Sequence, residues 1–236
     1  PTVQSPPSTI VSSPEPAASA TRRAVSPTIS TTLSRFCARG FVRSGRQRPG
    51  VVYFDAHADL NVPASVRPGT LDWMGMAHML GEEGARVELV QAGPRVPLIE
   101  PDQVVLLGWD EVQSEAHERA AIERLQMNVI PAGEVAADPA AAAARALALL
   151  DGPDRRLLVH FDVDVIDFTD TPLSENWGRN EGIPYDAAAG ALRTLLAAPR
   201  LGGVTITELN PDHVEAESGS VERLVRDVAE GLRLRS

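Results

Sequence analysis

The chain has 236 residues, 43% of them hydrophobic, and a formal charge of −10, which is enough for one α/β domain with a sizeable core. The acidic balance argues against nucleic acid or an anionic membrane as a partner, and no apolar run approaches the ~20 residues of a transmembrane helix or forms the core of a secretory signal. Cys37 is the only cysteine, which rules out an intrachain disulfide and fits a reducing, cytoplasmic setting.

Residues 1–49 are rich in Pro, Ser, Thr and Arg, and Glu15 is their only acid. They show neither helical nor strand periodicity, so they are expected to be disordered or non-native. A shifted reading frame in a GC-rich gene would produce such text; a genuine evolved loss is the other reading. Residues 50–236 read as an α/β domain. Strands are predicted over 51–54, 86–90, 103–108, 127–130, 157–161 and 203–207. Helices are predicted over 70–81, 114–125, 138–150, 185–197 and 218–234, the third nearly all Ala and Leu. Strands alternating with helices give βαβ units and a mainly parallel sheet.

Three predicted strands run into acids. The first ends in Asp55-Ala56-His57-Ala58-Asp59. Side chains at i, i+2 and i+4 of an extended chain share a side, so Asp55, His57 and Asp59 are expected to converge. Two carboxylates and an imidazole at one point call for a cation, and this mixed set suits Mn, Fe or Zn. The 157–161 strand ends in Asp162-Val163-Asp164-Val165-Ile166-Asp167, with Asp162 and Asp164 on one face. The last ends in Glu208-Leu209-Asn210-Pro211. The carboxyl edge of a parallel sheet is where sites form.

These three motifs, in this order, resemble the ureohydrolases, the family of arginase and agmatinase, over residues 50–236. The resemblance implies a three-layer α/β/α fold of arginase type, with its first strands missing here, and a centre of two Mn ions. It makes Asp55 and Asp162 bridging ligands, His57 and Asp164 ligands of one metal, and Asp59 a ligand of the other. It makes Glu208 the acid that grips a substrate guanidinium and Asn61 a contact to the substrate carboxylate. It also implies the chemistry: a hydroxide held between the metals, oriented by Asp59, attacks the guanidinium carbon and releases urea. The substrate is read as a small guanidino compound, arginine or similar, and the assembly as a homo-oligomer.

The chain departs from the family pattern. The family carries a Gly-Gly-Asp-His or Gly-Gly-Asp-Cys element before the first motif. Here the text is Ser34-Arg35-Phe36-Cys37-Ala38-Arg39-Gly40-Phe41, and no histidine precedes His57. Asp72 stands near the position of the family's proton-shuttle histidine. Gly108-Trp109-Asp110-Glu111-Val112-Gln113 replaces the stretch that meets the substrate amine, and Asn180-Glu181-Gly182-Ile183-Pro184 replaces a Gly-Thr-Pro loop. A catalytically impaired subunit with an incomplete metal site is therefore the alternative reading. A single-zinc amidohydrolase of histone-deacetylase type fits the double-Asp pattern less well. A sheet without its first strands would expose an edge and an apolar face, so poor solubility or dependence on a partner chain is expected.

The remaining candidates read as structural. His160 lies one pleat below Asp162 and reads as a satisfied core histidine, with ligation as the alternative. Asp167 reads as a structural acid, His78 as packed and His117 as solvent-facing. His213 reads as structural, with the pocket mouth as the alternative, and Cys37 is given no catalytic role.

Overall fold

The computed structural model describes residues 48–66, 70–152, 154–213 and 219–235. Its strands are β1 (Arg48–Phe54), β2 (Val104–Trp109), β3 (Asn128–Pro131), β4 (Arg155–Asp162) and β5 (Leu201–Thr207). Its helices are α1 (Gly75–Leu80), α2 (Val87–Val90), α3 (Ala116–Leu125), α4 (Ala132–Ala137), α5 (Pro139–Leu149), α6 (Tyr185–Leu196) and α7 (Ser220–Arg233). β1 takes in Arg48 and Pro49, on the far side of the boundary expected after residue 49; the rest of that segment, with Cys37, lies outside the described residues.

All strand pairs are parallel, in the order β3-β2-β1-β4-β5. Parallel strands are buried on both faces, which is why they read as near-continuous apolar runs. Val52, Phe54, Val105, Leu107, Val159 and Phe161 face the layer holding α4, α5 and α6. Val51, Tyr53, Val104, Leu106 and Leu158 face the layer holding α1 and α3. The expected three-layer α/β/α architecture is therefore present.

One predicted strand is not a strand. Residues 87–90 form the short helix α2, outside the sheet, and Val87 is exposed. A five-residue apolar run carries too little periodicity to separate the two states, and burial decides it. The 70–81 helix is split into a 3-10 turn over Leu71–Met74 and α1, and α4 precedes the Ala-rich α5 where no helix was expected.

The topology positions the site. From β1 the chain moves outward through β2 and β3, then returns to β4 and β5 on the other side of β1. The order thus reverses between β1 and β4, and a crevice opens beyond their carboxyl ends. The pairing of Phe54 with Phe161 puts the first and second acidic motifs side by side at that crevice. Gly108, at the β2 bulge, has φ +85°; a Cβ there would lie 2.7 Å from Val165 Cγ2 and 3.1 Å from Phe54. The absence of a side chain lets the tip of β2 pack under the loop that follows Asp162.

Candidate metal centre

Beyond the tips of β1 and β4 lies an open cleft of ≈ 700 Å³, counting the solvent at its mouth. Asp55, His57 and Asp59 line it from the first motif, Asp162 and Asp164 from the second, and Glu208 from the third. Asp72, Trp73, Glu175 and Asn176 complete the described lining. Seven of these side chains are carboxyls, and no described Arg faces them. Two divalent cations would offset four of those charges and still leave a site suited to a cationic substrate.

Two groups of ligand atoms, each within a 4.8 Å span, can hold a metal. The first is Asp55, His57 and Asp164; the second is Asp55, His160 and Asp162. They share Asp55. In the first, His57 Nδ1 stands 3.3 Å from Asp55 Oδ1 and 3.2 Å from Asp164 Oδ2. Asp164 Oδ1 is buried and accepts no hydrogen bond. A buried carboxylate oxygen without a donor is costly, and a bound cation removes that cost. The oxygen-rich set with one or two imidazoles suits a divalent ion such as Mn, Fe or Zn.

The backbone prepares these side chains. Asp55 Oδ1 accepts the backbone N–H of His57 at 2.7 Å, and Asp162 Oδ1 accepts that of Asp164 at 3.0 Å. Each acid thus fixes the turn that presents its partner. Thr207, opposite Asp162 on β5, donates its hydroxyl to Asp162 Oδ2 at 2.8 Å. Asp59 and Glu208, at φ 52° and φ 57°, occupy the left-handed region that non-glycine residues avoid. Strain of this kind persists where surrounding structure enforces it, and often at functional sites.

Spacing alone put Asp55, His57 and Asp59 at one point. The fold brings Asp55 and His57 together but sets Asp59 apart from both ligand groups. Its Oδ2 takes the hydroxyl hydrogen of buried Tyr53 in a short bond. Asn61 does not line the cleft: it is 2% exposed, and its Oδ1 accepts from Ser65 at 3.0 Å. Asp167 clamps its own loop by accepting the N–H groups of Thr169 and Asn180 at 2.7 and 3.0 Å. His78 is buried in α1 as expected, whereas His117 is half-buried rather than solvent-facing. His213 sits against Ser174 O and the edges of Phe168 and Trp177, outside the described lining.

Four contributors escaped the sequence reading. Tyr53 lies near the end of β1, two residues before Asp55, so period-2 alternation could have flagged it. Glu118, 2% exposed on α3, accepts the N–H of Leu60 at 3.1 Å and buttresses the loop after Asp59; nothing in a charged helix marks such a turn inward. Glu175 and Asn176 enter because their loop bonds to the Glu208 backbone, with Glu175 N to Glu208 O at 2.8 Å. That contact joins distant segments and leaves no local signal.

Electrostatics follow from crowding. Burial pushes the Asp162 carboxyl well up, aided by Asp164 and Asp55, and burial with Asp55 does the same to Asp59. Glu208 is pushed up to about 7 by burial and by Asp164, Asp72 and Asp55. Burial also works on Asp55, but the imidazoles of His160 and His57 outweigh it and hold this carboxyl low. Burial works against the charged form of His57, but Asp164 and Asp55 together outweigh it and raise His57 well above its usual value.

A pH dependence follows. Glu208, Asp162, Asp59 and His57 all hold protons more tightly in the folded chain than in the unfolded one. Folding therefore binds protons, and stability falls as pH rises from the unfolded carboxyl range through about 7. Asp55 acts the other way, but only at acid pH. The melting temperature of the metal-free chain is expected to drop between pH 5 and pH 8. Mn2+ should restore it by an increment that grows with pH, because cation binding requires the deprotonated ligands. A metal-free melting temperature that rises over this interval contradicts the arrangement.

Fold and site together define an α/β/α protein with a carboxylate–imidazole set, able to hold metal, at the switch point of its sheet. The Arginase family model matches residues 29–230, and the chain belongs to that family. It is 30% identical over 176 residues to N(omega)-hydroxy-L-arginine amidinohydrolase of Streptomyces lavendulae, covering 74% of this chain and 55% of that protein. It is 22% identical over 170 residues to arginase of Plasmodium falciparum, covering 71% and 40%. The chain thus spans about half the length of the curated relatives it matches. Among solved structures, Bacillus subtilis arginase superposes with a TM-score of 0.72 at 20% identity, over 89% of this chain and 78% of that one. Bacillus subtilis formimidoylglutamase gives 0.68 at 18% identity, over 86% and 58%. At these identities the structural likeness speaks for the fold. No helix among the described residues is long and apolar enough to cross a membrane.

Proposed function

We propose that the chain is a manganese-dependent hydrolase of a guanidino C–N bond in a small substrate, arginine or N-hydroxyarginine in class, with release of urea from the former or hydroxyurea from the latter. The observation that carries this reading is the pair of ligand groups sharing Asp55, with Glu208 on the same cleft. Bound there, a pair of divalent ions supplies Lewis acidity that makes water a nucleophile at neutral pH.

The chain's own residues do the rest. Asp55, His57 and Asp164 would hold one ion, and Asp55 and Asp162 would hold the other. Glu208 accepts paired N–H donors of the guanidinium and fixes its plane toward the centre. Asp59, anchored through Tyr53, orients the attacking water. Asp72 lines the cleft half-buried, and burial raises its carboxyl, the direction that favours a group passing a proton to the departing amine. Asn61 supports its loop through Ser65 rather than touching substrate.

The test is product release from L-arginine, N-hydroxy-L-arginine, agmatine and N-formimidoyl-L-glutamate, with Mn2+ and after chelation. Metal-dependent urea release from a guanidino member supports the reading. No product from any member, together with less than one bound Mn per chain, sinks it. That outcome supports the second reading, a metal-poor subunit, which is favoured by the capture of Asp59 by Tyr53. Light scattering of the same preparation reads out the expected homo-oligomer.

A further inference from the structure

We infer that His160, one pleat below the residues that line the cleft, is a protein ligand of the second metal ion, held with Asp55 and Asp162. This assignment rests on the proposed two-metal reading and departs from the expectation of a core histidine. It gives the second ion an imidazole from inside the sheet.

Position comes first. His160 pairs with Tyr53 across the β1–β4 interface, one pleat below Asp162 on the same strand face. Asp55, His160 and Asp162 are all buried, at 3%, 3% and 4% exposure, and their ligand atoms lie within 4.8 Å of one another. His160 Nε2 is 3.8 Å from Asp55 Oδ2. Metal–ligand bonds of ~2.1 Å place two ligands of one ion roughly 3–4 Å apart, so the spacing suits an ion between these atoms.

Orientation comes second. His160 Nδ1 faces the Thr205 hydroxyl at 3.2 Å. A ligating histidine commonly donates its second ring N–H to an oxygen, which fixes the tautomer and aims the free lone pair at the metal. An Nδ1–H donated to Thr205 on metal binding would turn the Nε2 lone pair toward an ion between Asp55 and Asp162; Nε2 also stands 3.5 Å from Thr207 Oγ1, the hydroxyl that bonds Asp162. The ring is also pinned: it stacks on Tyr53 at 4.2 Å between centroids and 16° between planes. The same Tyr53 draws Asp59 away through its hydroxyl. One residue therefore seats the imidazole and bonds the carboxylate that the family resemblance assigned to this ion.

The experiment uses the full chain stripped by chelation, with Mn2+ alone as the probe. Bound Mn is counted after dialysis, affinities come from calorimetric titration, and electron spin-echo spectra count the imidazole nitrogens coupled to Mn. The unsubstituted chain is expected to bind two Mn per chain with two imidazole couplings. His160→Ala should keep one Mn and one coupling. Thr205→Val leaves the imidazole in place and should weaken the second ion by roughly 10–100-fold, as loss of a hydrogen bond behind a ligating histidine does. His57→Ala, by contrast, should strip the other ion.

Two bound Mn with unchanged affinities and couplings in His160→Ala overturns the assignment and leaves the two-metal reading standing. Absence of bound Mn from the unsubstituted chain overturns both. Should His160→Ala fail to fold, Thr205→Val decides: an unaltered second affinity overturns the assignment.

Discussion

Asp162→Asn is expected to remove Mn2+-dependent hydrolysis while making the metal-free chain more stable. Asp162 is the acid common to the second motif and the second ligand group, buried between Asp164, Asp55 and the Thr207 hydroxyl. An amide cannot serve as an anionic ligand. Lewis-acid stabilisation is worth several kcal/mol, and each 1.4 kcal/mol is tenfold in rate, so about a thousandfold loss of kcat/KM is expected. Stability moves the other way because the fold disfavours a charge at this position. The amide oxygen still accepts from the Asp164 N–H, and the Thr207 hydroxyl can turn to accept from the amide nitrogen. Each kcal/mol gained in a chain of this size appears as roughly 2–4 °C in Tm. Melting scans of chelated protein at pH 7.5 and urea-release assays check the two halves separately. Activity within about tenfold of the parent, or a lower metal-free Tm, contradicts the assignment; the second result means that local packing outweighs charge crowding.

Glu208→Gln is expected to lower kcat/KM by about a hundredfold, since truncating one partner of a buried, charge-assisted contact costs roughly 2–5 kcal/mol. Much of the loss should fall on KM if Glu208 grips the guanidinium equally in the ground and transition states. The pH profile supplies a second readout. Burial and neighbouring acids push Glu208 up to about 7 in the metal-free chain, and bound cations draw that value down. The parent should therefore gain kcat/KM as pH rises through an acidic limb at or below pH 7, and Glu208→Gln should lack that limb. A variant within threefold of the parent, with the limb intact, removes Glu208 from substrate binding and leaves its left-handed backbone without a functional reason.

The local text was informative wherever local physics governs. Apolar runs at 51–54, 103–108, 127–130, 157–161 and 203–207 became five parallel strands, because a doubly covered sheet demands apolar residues on both faces. The run at 86–90 was misread because five residues carry no usable period, and it lies outside the sheet, where burial does not select an extended form. The site divides in the same way. Alternation predicted Asp55 beside His57 and Asp162 beside Asp164, and both hold next to the strand ends. Asp59 lines the same cleft but lies outside both ligand groups, because β1 ends at Phe54 and the turn to φ 52° breaks the period on which the argument relied. His160 was visible as a strand-face neighbour of Asp162. Its nearness to Asp55, however, depends on the β1–β4 register, which links residues more than a hundred positions apart.

By itself, the sequence determined the chemistry on offer: three strand-end acid motifs, a parallel α/β scaffold and an acidic cleft suited to cations. Periodicities of two and 3.6 are written into short stretches, and carboxylates at strand ends need a counter-charge wherever they are buried. Only the tertiary structure decided which groups stand close enough to share an ion. It set β1 against β4 at the switch point, gave Asp59 to Tyr53, turned Glu118 inward, and laid the 174–176 loop against Glu208. These outcomes depend on register and loop closure between distant segments, and pairing of that kind has no local period to read.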